Sequence, residues 1–196
     1  MNKIFLFLLL TVITMSFAAC EKDDSTNGNT LVINVQSENG SGNIATVKAR
    51  IYSLIGFNDD GGIWAEYVLD SVKYDNNGFV LKFPLTVPDE YLWTNVTEGI
   101  PLSDFQAKWG VVSINAYNSA GDWIGSFDLE GKEWSIEYMY SDRSFTEKGT
   151  TNYGFEFDCS YEKGLNITYL SYMKRTTQKP LNESFKWNFH EIVICF

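Results

Sequence analysis

Between residues 152 and 161 the side chains alternate without a break: Tyr153, Phe155, Phe157, Cys159 and Tyr161 against Gly154, Glu156, Asp158 and Ser160. A period of two sends successive side chains to opposite faces of a pleated strand, so an aromatic row opposite an acidic one describes one buried and one solvated face. The same period runs from Thr46 to Tyr52, where Val47, Ala49 and Ile51 oppose Thr46, Lys48 and Arg50. No stretch after residue 20 carries a convincing helical period. Aromatic residues make up 16% of the chain and only four prolines are present, which suits strands punctuated by Gly, Asn and Asp.

Strands are expected over 31–36, 46–52, 63–68, 71–74, 110–117, 123–129, 134–140, 152–161 and 185–196. The tetrad Asp75-Asn76-Asn77-Gly78 predicts a hairpin, because Asn and Gly accept the positive φ of tight turns. Phe79, Leu81 and Phe83 then face the core, and Pro84 and Pro88 end that strand. Residues 95–108 read as a linker or a short helical turn. The fold class is therefore all-β, built from antiparallel β-sandwiches: one over 30–95 and a second antiparallel domain over 109–196, or one continuous sandwich over 30–196.

The N-terminus carries a different signal. Lys3 is followed by an apolar run over 4–13 broken only by Thr11, then by Ser16-Phe17-Ala18-Ala19 and Cys20, after which the chain turns polar. This order describes a signal peptide over residues 1–19, and the run is shorter than the roughly 20 apolar residues a membrane-spanning helix needs. Phe17-Ala18-Ala19-Cys20 resembles the lipobox of bacterial lipoproteins, with Phe17 where Leu or Val is usual. Lys22-Asp23-Asp24 is similar to the acidic export tag of surface lipoproteins of Bacteroidota. The resemblance implies lipidation at Cys20, a flexible tether over 20–29, and an outer-membrane location facing the cell exterior, with the membrane as partner through the acyl chains.

Two further stretches resemble the same proteins. Gly78-Phe79-Val80-Leu81-Lys82-Phe83-Pro84, leading to Tyr91-Leu92, looks like their N-terminal half, which implies a small transthyretin-like or immunoglobulin-like sandwich. Lys163-Gly164-Leu165-Asn166 is similar to a strand start near their end, with Leu165 where Trp is usual.

The formal net charge is −10. An acidic chain with no basic cluster repels phosphate backbones, so nucleic acid is not an expected partner. With Cys20 assigned to lipid, Cys159 and Cys195 form a disulfide or remain two buried thiols.

Catalytic signals are sparse. His190 is the single histidine, no Gly-x-Ser-x-Gly elbow is present, and one histidine does not make a zinc site. Glu156, Asp158 and Glu162 share a strand face, as the paired carboxylates of glycoside hydrolysis must, yet a solvated face explains them equally well. Asp59, Asp60 and Asp75 lack the regular ligand series of a calcium loop, and turn chemistry accounts for them. No catalytic residue, metal or cofactor is assigned, and the chain is not expected to be an enzyme.

The six tryptophans remain (Trp64, Trp93, Trp109, Trp123, Trp134 and Trp187). Most are expected in the core, but flat rings also serve as platforms for sugars. Trp123, Trp109 and Trp64 are the candidate ligand-binding residues. Trp123 follows Gly121-Asp122 at a hairpin tip and is expected to be partly exposed, with a bulge near Gly125 leaving Ile124 and Phe127 to the core. The functional expectation is a surface binding or adhesion module with a glycan as ligand. The alternatives are an accessory subunit of an envelope assembly, binding another surface protein through a sheet edge, and then a hydrolase.

Overall fold

The computed structural model describes residues 30–33, 43–58, 61–75, 78–84, 86–94 and 100–192. Their order is β1 (Thr30–Ile33), β2 (Thr46–Asn58), β3 (Gly61–Lys73), β4 (Phe79–Lys82), β5 (Trp93–Thr94), β6 (Lys108–Tyr117) and β7 (Trp123–Glu130). There follow β8 (Ser135–Ser141), β9 (Phe145–Thr150), β10 (Glu156–Tyr161), β11 (Gly164–Leu170), β12 (Lys174–Thr176) and β13 (Lys186–Glu191). No α-helix occurs among the described residues, and the protein is all-β, as the alternation predicts.

The ladders join eleven strands into one branched sheet of order β3-β2-β6-β7-β8-β11-β12-β10-β9, with β5 added to β6 and β13 to β7; β1 and β4 form a separate ribbon. The expected purely antiparallel order fails at one place: β10 runs parallel to β12. Strand β6 lies against β2 through Thr46↔Tyr117 to Ile51↔Val112, so the chain on either side of residues 95–108 shares one sheet.

Strand β6 also separates two cores. Its inner face carries Val112, Ile114 and Ala116, which pack with Val47, Ala49 and Ile51 of β2, with Phe79, Leu81 and Phe83, and with Phe127, Leu129, Tyr138 and Trp187. Its outer face begins with Trp109 and Val111, which pack against Ala107, Met139, Phe145, Cys159 and Tyr161. The β9–β10 hairpin therefore covers the first half of that outer face. Farther along, the same face carries Ser113 and Asn115.

Several local expectations change. The strands expected over 63–68 and 71–74 are one strand, β3, because a bulge at Leu69 keeps the pairing with β2: Arg50 faces Val68 and Ala49 faces Asp70. The extra residue interrupts the sequence alternation without interrupting the strand. Conversely, only 156–161 of the alternating 152–161 stretch is strand. Thr151 N–H bonds to the Phe155 carbonyl at 2.9 Å and Gly154 N–H to the Thr151 carbonyl at 2.9 Å, closing a turn that leaves Tyr153 93% exposed. Gly154 holds φ +82 there. The segment expected as a linker is partly core: Ile100 and Ala107 are buried, and Leu102 bridges to Glu147 of β9.

Candidate functional site

Between Asn115 and Val112 of β6 the three middle strands part company. Strand β7 pairs with β6 at Tyr117↔Trp123, Ala116↔Gly125 and Asn115↔Ser126, and then leaves it. Strand β8 takes over the β6 edge from Val112↔Tyr138 to Trp109↔Ser141. β7 and β8 meet each other only at Leu129↔Ile136 and Glu130↔Ser135. The ladders stop short of one another, and the gap between them is a pocket of about 290 Å³. Ser113, Asn115, Ser126, Asp128 and Glu137 supply its polar lining, Ile114, Phe127 and Trp187 its apolar lining, and Trp123 also borders it.

Trp123 is placed by the turn before it and the bulge after it. The Asn118 side-chain carbonyl accepts N–H bonds from Ala120 and Asp122, both at 2.9 Å, and its amide donates to the Asp122 carboxylate at 3.0 Å. Gly121 sits at φ +89, open to glycine without strain. The shift between Ala116 and Tyr117 leaves Ile124 unopposed. That bulge turns Ile124 toward the first core and leaves the Trp123 ring 55% exposed, as the hairpin chemistry predicts. The indole N–H then donates to the Gly125 carbonyl at 2.8 Å, which fixes the ring over the strand. Gly125 has no room for a side chain: a Cβ there would lie 2.3 Å from the His190 carbonyl oxygen and 2.6 Å from the Phe189 ring.

The polar lining is braced from behind. Asn115 is 4% exposed, and its amide donates to the Tyr52 hydroxyl at 3.3 Å; that hydroxyl also accepts from Arg50 at 3.0 Å. Arg50 in turn pairs with Glu66 at 2.6 Å. With its amide N–H₂ turned toward Tyr52, Asn115 has its carbonyl left to serve as an acceptor. Asp128 accepts from Ser126 Oγ at 3.2 Å, and Glu137 pairs with Arg175 at 2.8 Å. Beside them, the Tyr117 ring lies under Lys48 Nζ (4.5 Å) and the Arg50 guanidinium (4.4 Å). Burial pushes its hydroxyl up to about 12 despite the Arg50 charge. The pocket thus offers acceptors and one flat ring, a match for a ligand that brings hydroxyl donors and a C–H face.

The other sequence candidates fall elsewhere. Trp109 is half-buried against Trp93, with ring centroids 5.8 Å apart, and belongs to the second core. It stands eight residues from Tyr117, the partner of Trp123, or about 26 Å along the strand, so the two rings cannot share one sugar. Trp64 lies in β3 opposite Leu54, and its side chain is outside the described residues, as are Cys20, Cys195, Asp59 and Asp60. Cys159 is a buried free thiol, and burial raises its pKa. A Cys159–Cys195 bridge asks β10 to neighbour the C-terminal strand. Instead β10 lies between β9 and β12, while β13 runs along β7.

Glu156 and Asp158 are each taken up by a lysine, Lys174 at 2.8 Å and Lys148 at 3.1 Å. Glu162 accepts from Ser144 at 2.7 Å. His190 is half-exposed between Glu130 (3.4 Å) and Asp128 (3.9 Å), and Ser126 bonds to Asp128 rather than to the imidazole. Asp75 closes a bridge with Gly78. No group of three or more His, Cys, Asp or Glu among the described residues is placed to hold a metal ion.

Sequence reasoning did not find Ser113, Asn115, Asp128 and Glu137. A signal was present: the row Trp109, Val111, Ser113, Asn115 changes from apolar to polar halfway along a strand whose other row stays apolar. Compared with protein-family models, with curated proteins and with solved structures, the chain matches none of them.

Proposed function

We propose that the protein is a lipid-anchored surface binding protein that holds a saccharide in the forked pocket against the Trp123 ring. One observation carries the reading: a half-exposed tryptophan, fixed by its own N–H bond, borders a pocket lined with hydrogen-bond acceptors. Sugar rings present C–H faces that stack on indole and hydroxyls that donate to carboxylate and amide oxygens. The Cys20 lipobox supports the anchor, since each buried CH₂ contributes about 0.8 kcal/mol and two or three acyl chains hold a protein in a membrane.

Two experiments test this. A glycan array probed with the purified protein should show saccharide binding that Trp123→Ala abolishes; an array at background throughout removes the glycan reading. Radiolabelled palmitate should enter the protein in growing cells and be lost in Cys20→Ala, and label persisting in that variant removes the anchor. A second reading, partner binding through a sheet edge, is favoured by β3. That strand spans 13 residues, stands at the end of the strand order, and has a ladder only with β2 among the described residues.

A further inference from the structure

The outer face of β7 does not end at the pocket. Ser126, Asp128 and Glu130 follow one another at every second residue, so they form a single row. Asp128 lines the forked pocket, and Glu130 lines a second, more open hollow of about 420 Å³ at the far end of the strand. His190 bridges the two carboxylates at 3.9 and 3.4 Å, and Asn188 donates to Glu130 at 2.8 Å. The row is continuous from one hollow to the other.

The second hollow has its own rings. Trp134 and Tyr172 line it, from the β7–β8 and β11–β12 turns. The turns are neighbours because Ser135 pairs with Leu170. Both are fixed. Gly131 N–H bonds to the Trp134 carbonyl at 2.7 Å, the Glu183 carboxylate accepts from Lys132 and Glu133 N–H, and Ser171 N–H bonds to the Lys174 carbonyl at 2.8 Å. Tyr172 is nevertheless 92% exposed. Its ring is therefore open to a ligand lying in the hollow.

We infer that the two hollows are the ends of one groove along β7, and that its ligand is a linear, uncharged oligosaccharide rather than a single sugar. This rests on the saccharide reading of the Trp123 pocket and extends it. Seven strand residues separate Trp123 from Glu130, about 23 Å, so a chain several rings long is required to touch Trp123 at one end and Trp134 and Tyr172 at the other. The charge follows from the walls. Asp128, Glu130, Glu133 and Glu137 face the groove or its ends, against His190, Lys132 and the already paired Arg175. Lys132 and Lys186, which faces Glu130 across the β7–β13 ladder, are the cations nearest the groove's far end, so carboxylates outnumber the cations along the walls and disfavour uronic or sulfated sugars.

The test is chain-length dependence, with the purified protein and neutral hexasaccharides of the gluco-, xylo-, manno- and N-acetylglucosamine series, each beside its disaccharide and beside oligogalacturonate. The expected result is one neutral series in which the hexasaccharide binds at least ten-fold tighter than the disaccharide. Trp134→Ala and Tyr172→Ala should each reduce that advantage and leave disaccharide binding unchanged, whereas Trp123→Ala should remove both. Tyr172, being exposed, can be changed without disturbing the fold. Equal affinity for the two lengths, or no effect of either distal variant, overturns the groove and leaves the Trp123 pocket standing. Binding of oligogalacturonate as tight as the neutral series overturns the charge argument. No binding by any neutral sugar overturns both the groove and the pocket reading.

Discussion

The two halves of the outer face of β6 are built from one strand and have opposite fates. Trp109 and Val111 are covered by the β9–β10 hairpin and form a core with Met139, Phe145, Cys159 and Tyr161. Four residues on, Ser113 and Asn115 face a pocket. In the covered half even the polar groups are enclosed: Glu147 is 2% exposed and receives the Tyr161 hydroxyl at 3.4 Å, and burial raises the pKa of that hydroxyl. In the open half the buried polar groups, Arg50 and Asn115, are chained to Tyr52 and Glu66 so that their charge and orientation are defined. The same backbone thus serves as a wall where a hairpin lies over it and as the floor of a pocket where the neighbouring strand departs.

The largest effect is expected from breaking the covered half. Met139→Ala removes a side chain 1% exposed at the centre of the second core. It should cost about 2–5 kcal/mol of stability, read as a lower urea midpoint; a change under about 1 kcal/mol would show that β9–β10 is not packed as described. Next comes the fork itself. Gly125→Val forces a side chain into the His190 carbonyl and the Phe189 ring, and overpacking of this kind costs about 1–3 kcal/mol. Because β13 would be pushed from β7, the change in Trp123 fluorescence should accompany the loss of stability.

The third prediction concerns pH. The folded state holds the Tyr117 proton up to about 12, whereas an unfolded tyrosine releases it near 10. In that window the folded state binds more protons, so the contribution to stability is complete below about pH 10 and is lost as pH rises toward 12. Wild type should therefore lose more stability than Tyr117→Phe between pH 9 and 11.5 in urea titrations; parallel curves would place the hydroxyl in water. The smallest effect is the most telling for the open half. Trp123→Ala should move stability by no more than about 0.5 kcal/mol, since over half of the ring is exposed. A large drop in the melting midpoint would make Trp123 a core residue and the site assignment wrong.

Much of this fold was legible wherever one strand has one wet face. Val47, Ala49 and Ile51, and Phe79, Leu81 and Phe83, are buried as their spacing predicts. Strand β9 was not seen, because Phe145-Thr146-Glu147-Lys148-Gly149-Thr150 reads as polar; its inward Glu147 lies opposite Cys159 and accepts from the Tyr161 hydroxyl. The stretch over 152–155 misled in the opposite direction, since a turn can carry aromatic residues at alternate positions by coincidence. Trp123 could be placed from its turn alone, a local matter. The rest of the site could not, because Asn115, Asp128 and Glu137 meet only where three ladders end, and nothing in any one strand records where its neighbours part.

The position of β13 has a consequence for the order of events during folding. Its Trp187 lines the forked pocket and it pairs with β7 from Lys186↔Glu130 to Glu191↔Gly125, partners that lie some 60 residues earlier in the chain. Strand β6 likewise waits on β2. Closing such distant pairs costs loop entropy before any contact repays it, and chains dominated by them refold on the order of milliseconds to seconds. The forked pocket is therefore among the last features to assemble. Until β13 has arrived, β7 presents a bare edge and Trp123 has only part of its pocket beside it.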